Sequence, residues 1–411
     1  MKTGAVIVGA SHAGTQAAAA LRQSGWQDPI TLVSNEDCLP YHRPPLSKGF
    51  LSGQQGEDQI LLRGEGFYRD QQITLLNGCE VRQILPNRQA VEVDGGTLPY
   101  EALILATGAV PRRLSLPGSG LDNILMLRTL ADSRLLKEHL RDAERIVIVG
   151  GGFIGLEVAA TAAKAGKAVT VIEAQDRLIA RALPPLLSGY FRDLHVQNGV
   201  AIRLNARLDR FEGEGGRVSH VLLAGGERLA ADLVLVGVGS DANCSLAGKA
   251  GLAMEAGGIL VDACCATSAA SIYAIGDCAA QFNTHTQVVM RVESVQNATD
   301  QARALAAHLT DKPLPARGAN WFWSDQYAAK LQMAGIVREG CDGLLRGDPQ
   351  SGEFTFLQMM DSSLVAAFSV NRGGDHMAAR KLIASRARLD RTMAIDPAVP
   401  LVKAVVEMEK A

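Results

Sequence analysis

Residues 146–155 read IVIVGGGFIG. Its first four residues are branched aliphatics, which predict a short buried strand, and a G-x-G-x-x-G turn follows at once. An alanine-rich segment then runs to Gly166, where a helix is expected to end, and a second aliphatic run, 168–172, closes on Glu173. This order predicts a βαβ unit whose first connection is a glycine turn.

The same plan occurs near the start of the chain, with its first glycine 141 residues upstream. The corresponding stretch is AVIVGASHAG, which has Ser11 at the position of the central glycine. A helix is predicted to reach Ser24, with Gly25 as its left-handed stop, and a strand is predicted at 30–33. The chain therefore contains two copies of one unit.

Each copy is followed by similar insertions. Strand-like segments flank the glycine pairs at 95–96 and 225–226, and apolar strands ending in glycine are predicted at 103–108 and 233–239. Two βαβ units with matching insertions predict two nucleotide sites.

The glycine turns have a specific chemistry. The first glycine permits the bend, the second lets the backbone approach a pyrophosphate, and the third lets the helix pack on the strand. The helix N-terminus then presents N–H groups and a positive dipole end to the phosphates. Dinucleotide binding is predicted at both turns.

Glu173 indicates which nicotinamide cofactor the second site prefers. A carboxylate at the end of the second strand accepts hydrogen bonds from a ribose 2′-hydroxyl and repels a 2′-phosphate. NADH is therefore expected over NADPH. Arg177, four residues later, acts against this preference because an arginine there would accommodate the phosphate.

The composition excludes several classes of protein. A chain of 411 residues is expected to form two or three domains, and 47 % hydrophobic with 20 % charged residues is typical of a globular protein. A net charge of −2 gives no reason to expect nucleic acid. The apolar runs are too short to span a bilayer, and the first residues lack a secretory signal, so we expect a cytoplasmic protein without a membrane anchor.

The seven cysteines have neither CxxC nor metal-ligand spacing. We expect free, mostly buried thiols and no metal site.

Beyond the glycine turns, five strings carry a resemblance to a known family. They are LPYHRPPLSK at 39–48, ATG at 106–108, YAIGD at 273–277, RVESV at 291–295 and WFWSDQY at 321–327. With these strings the chain resembles the bacterial FAD-dependent NADH:ferredoxin reductases that feed Rieske-type oxygenases and haem monooxygenases. The resemblance covers nearly the whole chain.

The resemblance implies an α/β fold of the glutathione reductase type, with two Rossmann-like dinucleotide-binding domains and a C-terminal α+β interface domain. The FAD-binding domain would comprise 1–110 and 241–318, the NADH-binding domain 111–240, and the interface domain 319–411. The FAD domain is interrupted because the segment around Asp277 must return to the flavin.

The resemblance also implies two sets of cofactor-binding residues. Those expected at FAD are Gly9, Ser11, His12, Ala13, Gly14, Glu36, Arg43, Lys48, Val81, Ala106, Thr107, Gly108, Arg128, Asp277 and Val295. Those expected at NAD are Gly150, Gly152, Phe153, Ile154, Gly155, Glu157, Glu173 and Gly239. The acidic residue at the FAD ribose is Glu36 or Asp37, and we favour Glu36.

Three residues are expected to be catalytic by resemblance: Lys48 at the flavin edge, Glu157 beside the nicotinamide and facing Lys48, and Trp323 between flavin and protein partner. Phe153 matches the position whose side chain covers the flavin until nicotinamide displaces it. Three of these residues have plain alternatives: a helix-dipole role for Glu157, packing for Phe153, and a core cluster for Trp323 with Trp321.

Other family positions also have plain alternatives. Arg43 would only brace a loop before two prolines, Asp277 would only cap a turn, and Val295 would be core. The chain departs from the family at Ala328, usually aspartate, and at Ala242, often proline. Neither change removes an obvious cofactor contact.

Related two-dinucleotide enzymes that reduce disulfides need a CxxxxC pair beside the flavin, and this sequence has none. Cys38 is the one thiol in that neighbourhood, but it does not open a helix, where a thiolate would be stabilised. We therefore expect hydride transfer from NADH to FAD, followed by single-electron transfers to a [2Fe–2S] ferredoxin. The alternatives are a rubredoxin reductase or NADH oxidase on the same scaffold, and a redox-sensing flavoprotein.

Partner docking has one further signal. Six basic residues lie between 372 and 391 against two aspartates, a local balance of +4 that would steer an acidic ferredoxin. A solvated helix face explains the same charges. The ferredoxin contact is expected to be transient, and the protein to be a monomer or weak homodimer.

Overall fold

The structure is a computed structural model, and it describes residues 3–407. Its helices are α1 (His12–Ser24), α2 (Glu65–Asp70), α3 (Leu130–Asp142), α4 (Phe153–Lys164), α5 (Pro185–Gln197), α6 (Ser245–Lys249), α7 (Val295–Leu309), α8 (Gly373–Ala384) and α9 (Arg391–Ile395). Short 3₁₀ turns lie at Pro44–Ser47, Asp58–Ile60, Pro86–Arg88, Gly276–Cys278, Pro349–Ser351 and Leu401–Ala404.

The strands of the first half are β1 (Gly4–Val8), β2 (Ile30–Val33), β3 (Ile73–Leu76), β4 (Val81–Leu85), β5 (Ala90–Val93), β6 (Gly96–Leu105), β7 (Ala109–Pro111), β8 (Ile124–Leu125), β9 (Arg145–Val149), β10 (Ala168–Ile172), β11 (Ala201–Arg203), β12 (Leu208–Glu214) and β13 (Arg217–Leu223). The remaining strands are β14 (Arg228–Ala230), β15 (Leu233–Val236), β16 (Ser240–Ala242), β17 (Met254–Glu255), β18 (Gly258–Val261), β19 (Ile272–Ala274), β20 (Ala279–Asn283), β21 (Val288–Arg291), β22 (Trp321–Gln326), β23 (Ala329–Gly335), β24 (Asp342–Asp348), β25 (Glu353–Met360), β26 (Ser363–Val370), β27 (Arg388–Leu389) and β28 (Val405–Glu407).

The chain folds into two compact units. Unit 1 comprises 1–42, 57–110 and 241–317, and unit 2 comprises 43–56, 111–240 and 318–411. Residues 43–56 and the C-terminal part thus group with the second βαβ unit. The three-domain boundaries expected from the sequence stay a prediction.

Unit 1 is built on a parallel sheet in the order β3, β2, β1, β6 and β19, with β5 and β4 continuing antiparallel beyond β6. The aliphatic residues of β1 are buried, as expected of a strand covered on both faces. Helix α1 packs against α7 through small side chains such as Ala18 and Ala302, both fully buried. Helix α1 ends at Ser24, and Gly25 follows with a φ of 95°, which confirms the predicted left-handed stop.

The second βαβ unit lies in unit 2, in a parallel sheet with the order β11, β10, β9, β15 and β8. Strand β9 and helix α4 confirm the predicted elements at 146–155, although the strand begins one residue earlier, at Arg145. The apolar strands expected at 103–108 and 233–239 end earlier than predicted, at Leu105 and Val236, because the backbone turns away before each terminal glycine. A small antiparallel sheet, β12 to β14, follows.

The C-terminal part of unit 2 is an antiparallel sheet in the order β22, β23, β26, β25 and β24, with α8 packed against it. Arg346 is the largest fully buried side chain there, with 1 % of its surface exposed. Its guanidinium pairs with Asp375 at 3.0 Å and donates to the backbone carbonyl groups of Ala394, Asp396 and Val399. This arginine therefore ties the segment after α9 to the sheet.

Within residues 3–407, none of the helices combines the length and the apolar composition that crossing a membrane requires.

Candidate functional site

The glycine turn of unit 2 has the geometry that its sequence predicts. Gly150 has a φ of 106°, and a Cβ there would lie 2.4 Å from the carbonyl oxygen of Gly237. A Cβ on Gly155 would lie 2.3 Å from the carbonyl oxygen of Gly150. On Gly152, the N-cap of α4, a Cβ would point into open space, as judged against residues 3–407. The outer glycines thus allow close packing, and the central one leaves room in front of the helix for a phosphate.

Glu173 lies directly after β10 and is bonded to this turn. Its Oε2 accepts a hydrogen bond from the backbone N–H of Gly151 at 2.7 Å, and its Oε1 accepts one from Gln175 at 2.8 Å. A carboxylate has further lone pairs for a ribose hydroxyl. Glu173 is therefore held in the place expected of the ribose ligand.

Arg177 is engaged within its own segment. Its Nη1 donates to the carbonyl oxygen of Leu183 at 2.6 Å and to Ser188 Oγ at 3.1 Å, while Nη2 donates to the carbonyl oxygen of Ala180 at 2.7 Å. A guanidinium committed to these acceptors would have to break hydrogen bonds to receive a 2′-phosphate. These hydrogen bonds make Arg177 a weaker argument for NADPH than its position in the sequence indicated.

Lys48 and Glu157 lie in contact, as the resemblance implies. Lys48 follows the 3₁₀ turn Pro44–Ser47, and its Nζ lies 2.7 Å from Glu157 Oε2 and 3.2 Å from the carbonyl oxygen of Pro44. Glu157 lies in α4 with only 5 % of its side chain exposed, against 21 % for Lys48. The two side chains carry opposite charges, so the pair adds no net charge at this place.

Two serines complete the hydrogen bonding of Glu157, and the sequence analysis missed both. Ser47 Oγ donates to Oε2 at 2.5 Å, and Ser324 Oγ donates to Oε1 at 2.7 Å. Both lie inside strings that carried the resemblance. A buried carboxylate needs such donors, because burial without them is costly.

Strand β22 presents aromatic rings on both faces. On one face Phe322 lies against Phe153, the first residue of α4, with ring centroids 4.9 Å apart. On the other, Trp321 and Trp323 lie 5.6 Å apart, and the Arg380 guanidinium is 4.6 Å from the centre of the Trp321 ring. The packing alternative for Phe153 and the tryptophan pair is thus visible, and it does not exclude the functional one.

Two other residues are expected at NAD, Ile154 in α4 and Gly239 after β15. Ile154 leaves 44 % of its side chain exposed at a helix start where an aliphatic residue is normally covered. Gly239 has a φ of 107° and follows β15 by three residues.

The glycine turn of unit 1 repeats the packing logic. Gly9 has a φ of 111°, and a Cβ there would lie 2.2 Å from the carbonyl oxygen of Ala106. A Cβ on Gly14 would lie 1.9 Å from the carbonyl oxygen of Gly9. Ser11 is the N-cap of α1, so a small hydroxyl stands where the other copy has glycine. The turn, with His12 and Ala13 opening the helix, fits a dinucleotide pyrophosphate.

A histidine pair stands beside this turn. His12 Nε2 lies 3.0 Å from His42 Nδ1. Burial and then the charge of Arg63 lower the pKa of His42. The His42 ring is therefore neutral at neutral pH.

Glu36 is the better placed of the two acidic candidates after β2. Tyr41 donates its hydroxyl to Glu36 Oε2 at 2.5 Å, and Glu36 is half-buried whereas Asp37 is exposed. This arrangement favours Glu36 as the ribose ligand.

The remaining residues expected at FAD fall in both units. In unit 1, Thr107 donates to the carbonyl oxygen of Asn243 at 2.7 Å, Gly108 has a φ of 68°, and the carbonyl oxygen of Asp277 accepts from Arg291. Val81 is buried in the core and Val295 opens α7. In unit 2, Arg43 Nη1 donates to the carbonyl oxygen of Arg128 at 2.6 Å, so these two predicted residues do come together.

Comparison with known proteins decides the family. Residues 3–302 match the family described as pyridine nucleotide-disulphide oxidoreductase, and residues 321–405 match the domain described as reductase C-terminal. The chain belongs to the pyridine nucleotide-disulphide oxidoreductase family.

Its relatives within this family cover almost its full length. It is 42 % identical to the rhodocoxin reductase of Rhodococcus erythropolis, over 95 % of this chain and 92 % of that one. It is 40 % identical to the anthranilate 1,2-dioxygenase system ferredoxin–NAD⁺ reductase component of Burkholderia cepacia, over 96 % and 98 %. The crystal structure of the covalent putidaredoxin reductase–putidaredoxin complex matches with a TM-score of 0.94 and 38 % identity, over 98 % of each chain.

Membership of this oxidoreductase family confirms the predicted fold class, the enzyme class and the cofactor pair FAD and NAD(H).

The seven cysteine thiols are free, as predicted, but they are not mostly buried. Only Cys265 and Cys278 are buried, and burial raises the pKa of each, to about 12 for Cys265. The other five lie in loops or at element ends and are partly exposed. Residues 3–407 contain no cluster of three potential metal ligands.

The basic stretch is less positive than its sequence indicates. Arg372 pairs with Asp375, Arg388 with Glu407 and Arg391 with Asp342, at 2.8, 3.4 and 2.7 Å. Two of these acidic partners lie outside the stretch, so a local charge count could not include them.

Proposed function

We propose that this oxidoreductase passes electrons from NADH through FAD to a [2Fe–2S] ferredoxin that supplies an oxygenase. The observation that carries the proposal is the contact of Lys48 with the buried Glu157 beside the glycine turn of α4, in a chain whose sequence lacks a CxxxxC dithiol. The relatives support it, because one is named as the ferredoxin–NAD⁺ reductase component of a dioxygenase system.

FAD, when bound, supplies a group that accepts a hydride and then releases electrons singly. The residues of this chain bind and orient. The N-terminus of α4 would hold the NADH pyrophosphate, Glu173 would accept from the adenosine ribose, and Glu36 would do the same for FAD. Lys48 and Glu157 place polar groups at the reacting rings without adding net charge.

Glu157 and Lys48 need not exchange protons with the substrate. Hydride transfer requires no general base, so the pair contributes by fixing geometry and electrostatics. The other predicted site residues, and the three-domain division that assigns them to FAD or NAD, are part of this proposal.

Electrons would leave on the side of Trp321 and Trp323. These rings, with Arg380 stacked on one of them, form an aromatic surface with a positive charge, which suits an acidic partner. Since three of the six basic residues between 372 and 391 pair with carboxylates, we expect weak steering and a transient complex. The predicted cytoplasmic location and monomeric or weakly dimeric state stay predictions.

The test is an acceptor panel for the purified yellow protein under NADH: a [2Fe–2S] ferredoxin, rubredoxin, oxygen and a disulfide. Fast turnover with the ferredoxin and slow turnover with the other three is the expected result. Faster turnover with rubredoxin, oxygen or the disulfide would assign a different acceptor and contradict the proposal. Slow turnover with every acceptor, together with an NADH-dependent change in oligomer size, would instead indicate a redox sensor.

A further inference from the structure

A buried chain of hydrogen bonds extends from Glu157 into the protein. Beyond Ser324, Gln326 Nε2 donates to Ser324 Oγ at 3.1 Å, and Gln326 Oε1 lies 2.9 Å from His195 Nε2. His195 Nδ1 lies 3.5 Å from the hydroxyl of Tyr327. Ser324, Gln326 and His195 are each fully buried.

Strand geometry explains why these groups meet. Ser324 and Gln326 are two residues apart in β22, so their side chains share one face of the strand. His195 lies in the last turn of α5, and Glu157 lies in α4. The chain of bonds therefore joins two helices through one strand.

The hydrogen bonds all run in one direction. Burial lowers the pKa of His195, so the ring is neutral at neutral pH and carries a single N–H. Because Gln326 Oε1 can only accept, that N–H is on Nε2. Gln326 in turn donates to Ser324 Oγ, which directs the serine proton to Glu157 Oε1 at 2.7 Å.

Tyr327 is placed at the far end of the same series. Its hydroxyl faces Nδ1, the acceptor nitrogen of the His195 ring. Burial raises the pKa of Tyr327 to about 12, so the hydroxyl keeps its proton. The 3.5 Å distance makes this the weakest member of the series.

We propose that His195, Gln326 and Ser324 are positioning residues, which hold the Glu157 carboxylate at the nicotinamide and, through it, the Lys48 ammonium at the flavin edge. This inference rests on the proposed function. Aligned donors polarise one another, and in a water-free interior a fully satisfied chain holds one geometry. Oε1 is fixed by the chain, which leaves Oε2 to Lys48 and Ser47.

An apolar residue of similar size would fill the place of Gln326 without the cost of burying an amide. The orientation of the Glu157 carboxylate therefore explains these buried polar side chains better than packing does. Removing a side chain from this hydrogen-bonded chain should make the orientation of the Glu157 carboxylate less fixed. It should not affect electron transfer from the flavin to ferredoxin.

The test uses the FAD-loaded protein and two readouts. One is the affinity of the oxidised protein for NAD⁺, followed by the flavin absorbance change, and the other is the rate of flavin reduction by NADH in a single turnover. The variants are Gln326→Met, which keeps the size, and Ser324→Ala. Ser324→Thr, which restores the hydroxyl, is the rescue.

Gln326→Met and Ser324→Ala are expected to slow reduction about tenfold, as for a small loss of alignment, and to weaken NAD⁺ binding. The rate at which ferredoxin reoxidises the reduced flavin should stay within about twofold of that of the parent protein. Ser324→Thr should recover most of the rate. A control, Ser369→Ala, removes another fully buried serine bonded to Thr355 in the same sheet and should change neither readout.

Two results distinguish a failure of the positioning inference from a failure of the proposed function. If Glu157→Gln slows reduction while Gln326→Met and Ser324→Ala do not, the positioning inference is wrong and the proposed function stands. If Glu157→Gln and Lys48→Met also leave reduction and NAD⁺ binding unchanged, the pair itself has no part in the reaction and the positioning inference fails, whereas the proposed function fails only if the acceptor panel shows no fast turnover with the ferredoxin.

Discussion

His376 makes the stability of the C-terminal part depend on pH. It lies in α8 with 2 % of its surface exposed, and its ring centre is 5.9 Å from that of Trp321. Burial, with a smaller contribution from Arg380, lowers the pKa of His376 from 6.5 to about 4. Within residues 3–407 its Nδ1 has no hydrogen-bond partner.

The size of the effect follows from linkage. Above pH 6.5 the His376 ring is neutral in both the folded and the unfolded state, so the free energy of unfolding is at its full value. As the pH falls from 6.5 to 4 the ring takes up a proton more readily in the unfolded state, and the free energy of unfolding decreases. At 1.36 kcal/mol per pKa unit, the full difference is about 3 kcal/mol. Between pH 7 and pH 5 the loss is about 2 kcal/mol.

The measurement is urea unfolding at pH 7 and pH 5, followed by tryptophan fluorescence. His376→Phe keeps an aromatic ring against Trp321 without a titratable nitrogen, and should lose about 2 kcal/mol less than the parent protein over this interval. His308→Gln, at an exposed histidine, is the control and should follow the parent. Equal losses in the parent protein and in His376→Phe would show that His376 does not cause the pH dependence.

Three further perturbations have expected outcomes. Arg346→Met should lower the free energy of unfolding by about 3–5 kcal/mol, measured by urea unfolding, because it leaves a buried carboxylate and several carbonyl groups without their main donor. Gly14→Ala should reduce the flavin content of the purified protein, measured by the ratio of flavin to protein absorbance, because its Cβ would lie 1.9 Å from the Gly9 carbonyl oxygen. Gly189→Ala, in a helix and facing open space among the described residues, should retain full flavin. Trp323→Ala should slow electron transfer to ferredoxin and leave flavin reduction by NADH unchanged, measured as separate half-reactions; an unchanged ferredoxin rate in the folded variant would exclude Trp323 from the electron path.

The sequence could predict the parts of the fold that depend on local pattern. Strands β9 and β10, helix α1 and its stop at Gly25 were all predictable, because aliphatic runs, alanine-rich helices and glycine stops act over a few residues. The Lys48–Glu157 pair needed more. It joins segments 109 residues apart, and only the resemblance to a known family indicated it.

The rest could not be read from the chain because it depends on sheet register and distant partners. Nothing local distinguishes Ser324 and Gln326 from other polar strand residues, and His195 reads as a surface helix residue. Arg346 reads as an exposed charge, although the fold buries it. The burial of the cysteines was predicted wrongly, because residue type alone does not tell which loops are covered.

The central claim is that electrons pass from NADH to bound FAD and then directly to an iron–sulfur protein. Sequential-mixing absorbance measurements test it most directly: the anaerobic protein is first mixed with NADH and then with an oxidised [2Fe–2S] ferredoxin. We expect rapid bleaching of the flavin, followed by ferredoxin reduction fast enough to support turnover. Bleaching followed by rapid reoxidation with oxygen or a disulfide, but not with the ferredoxin, would contradict it.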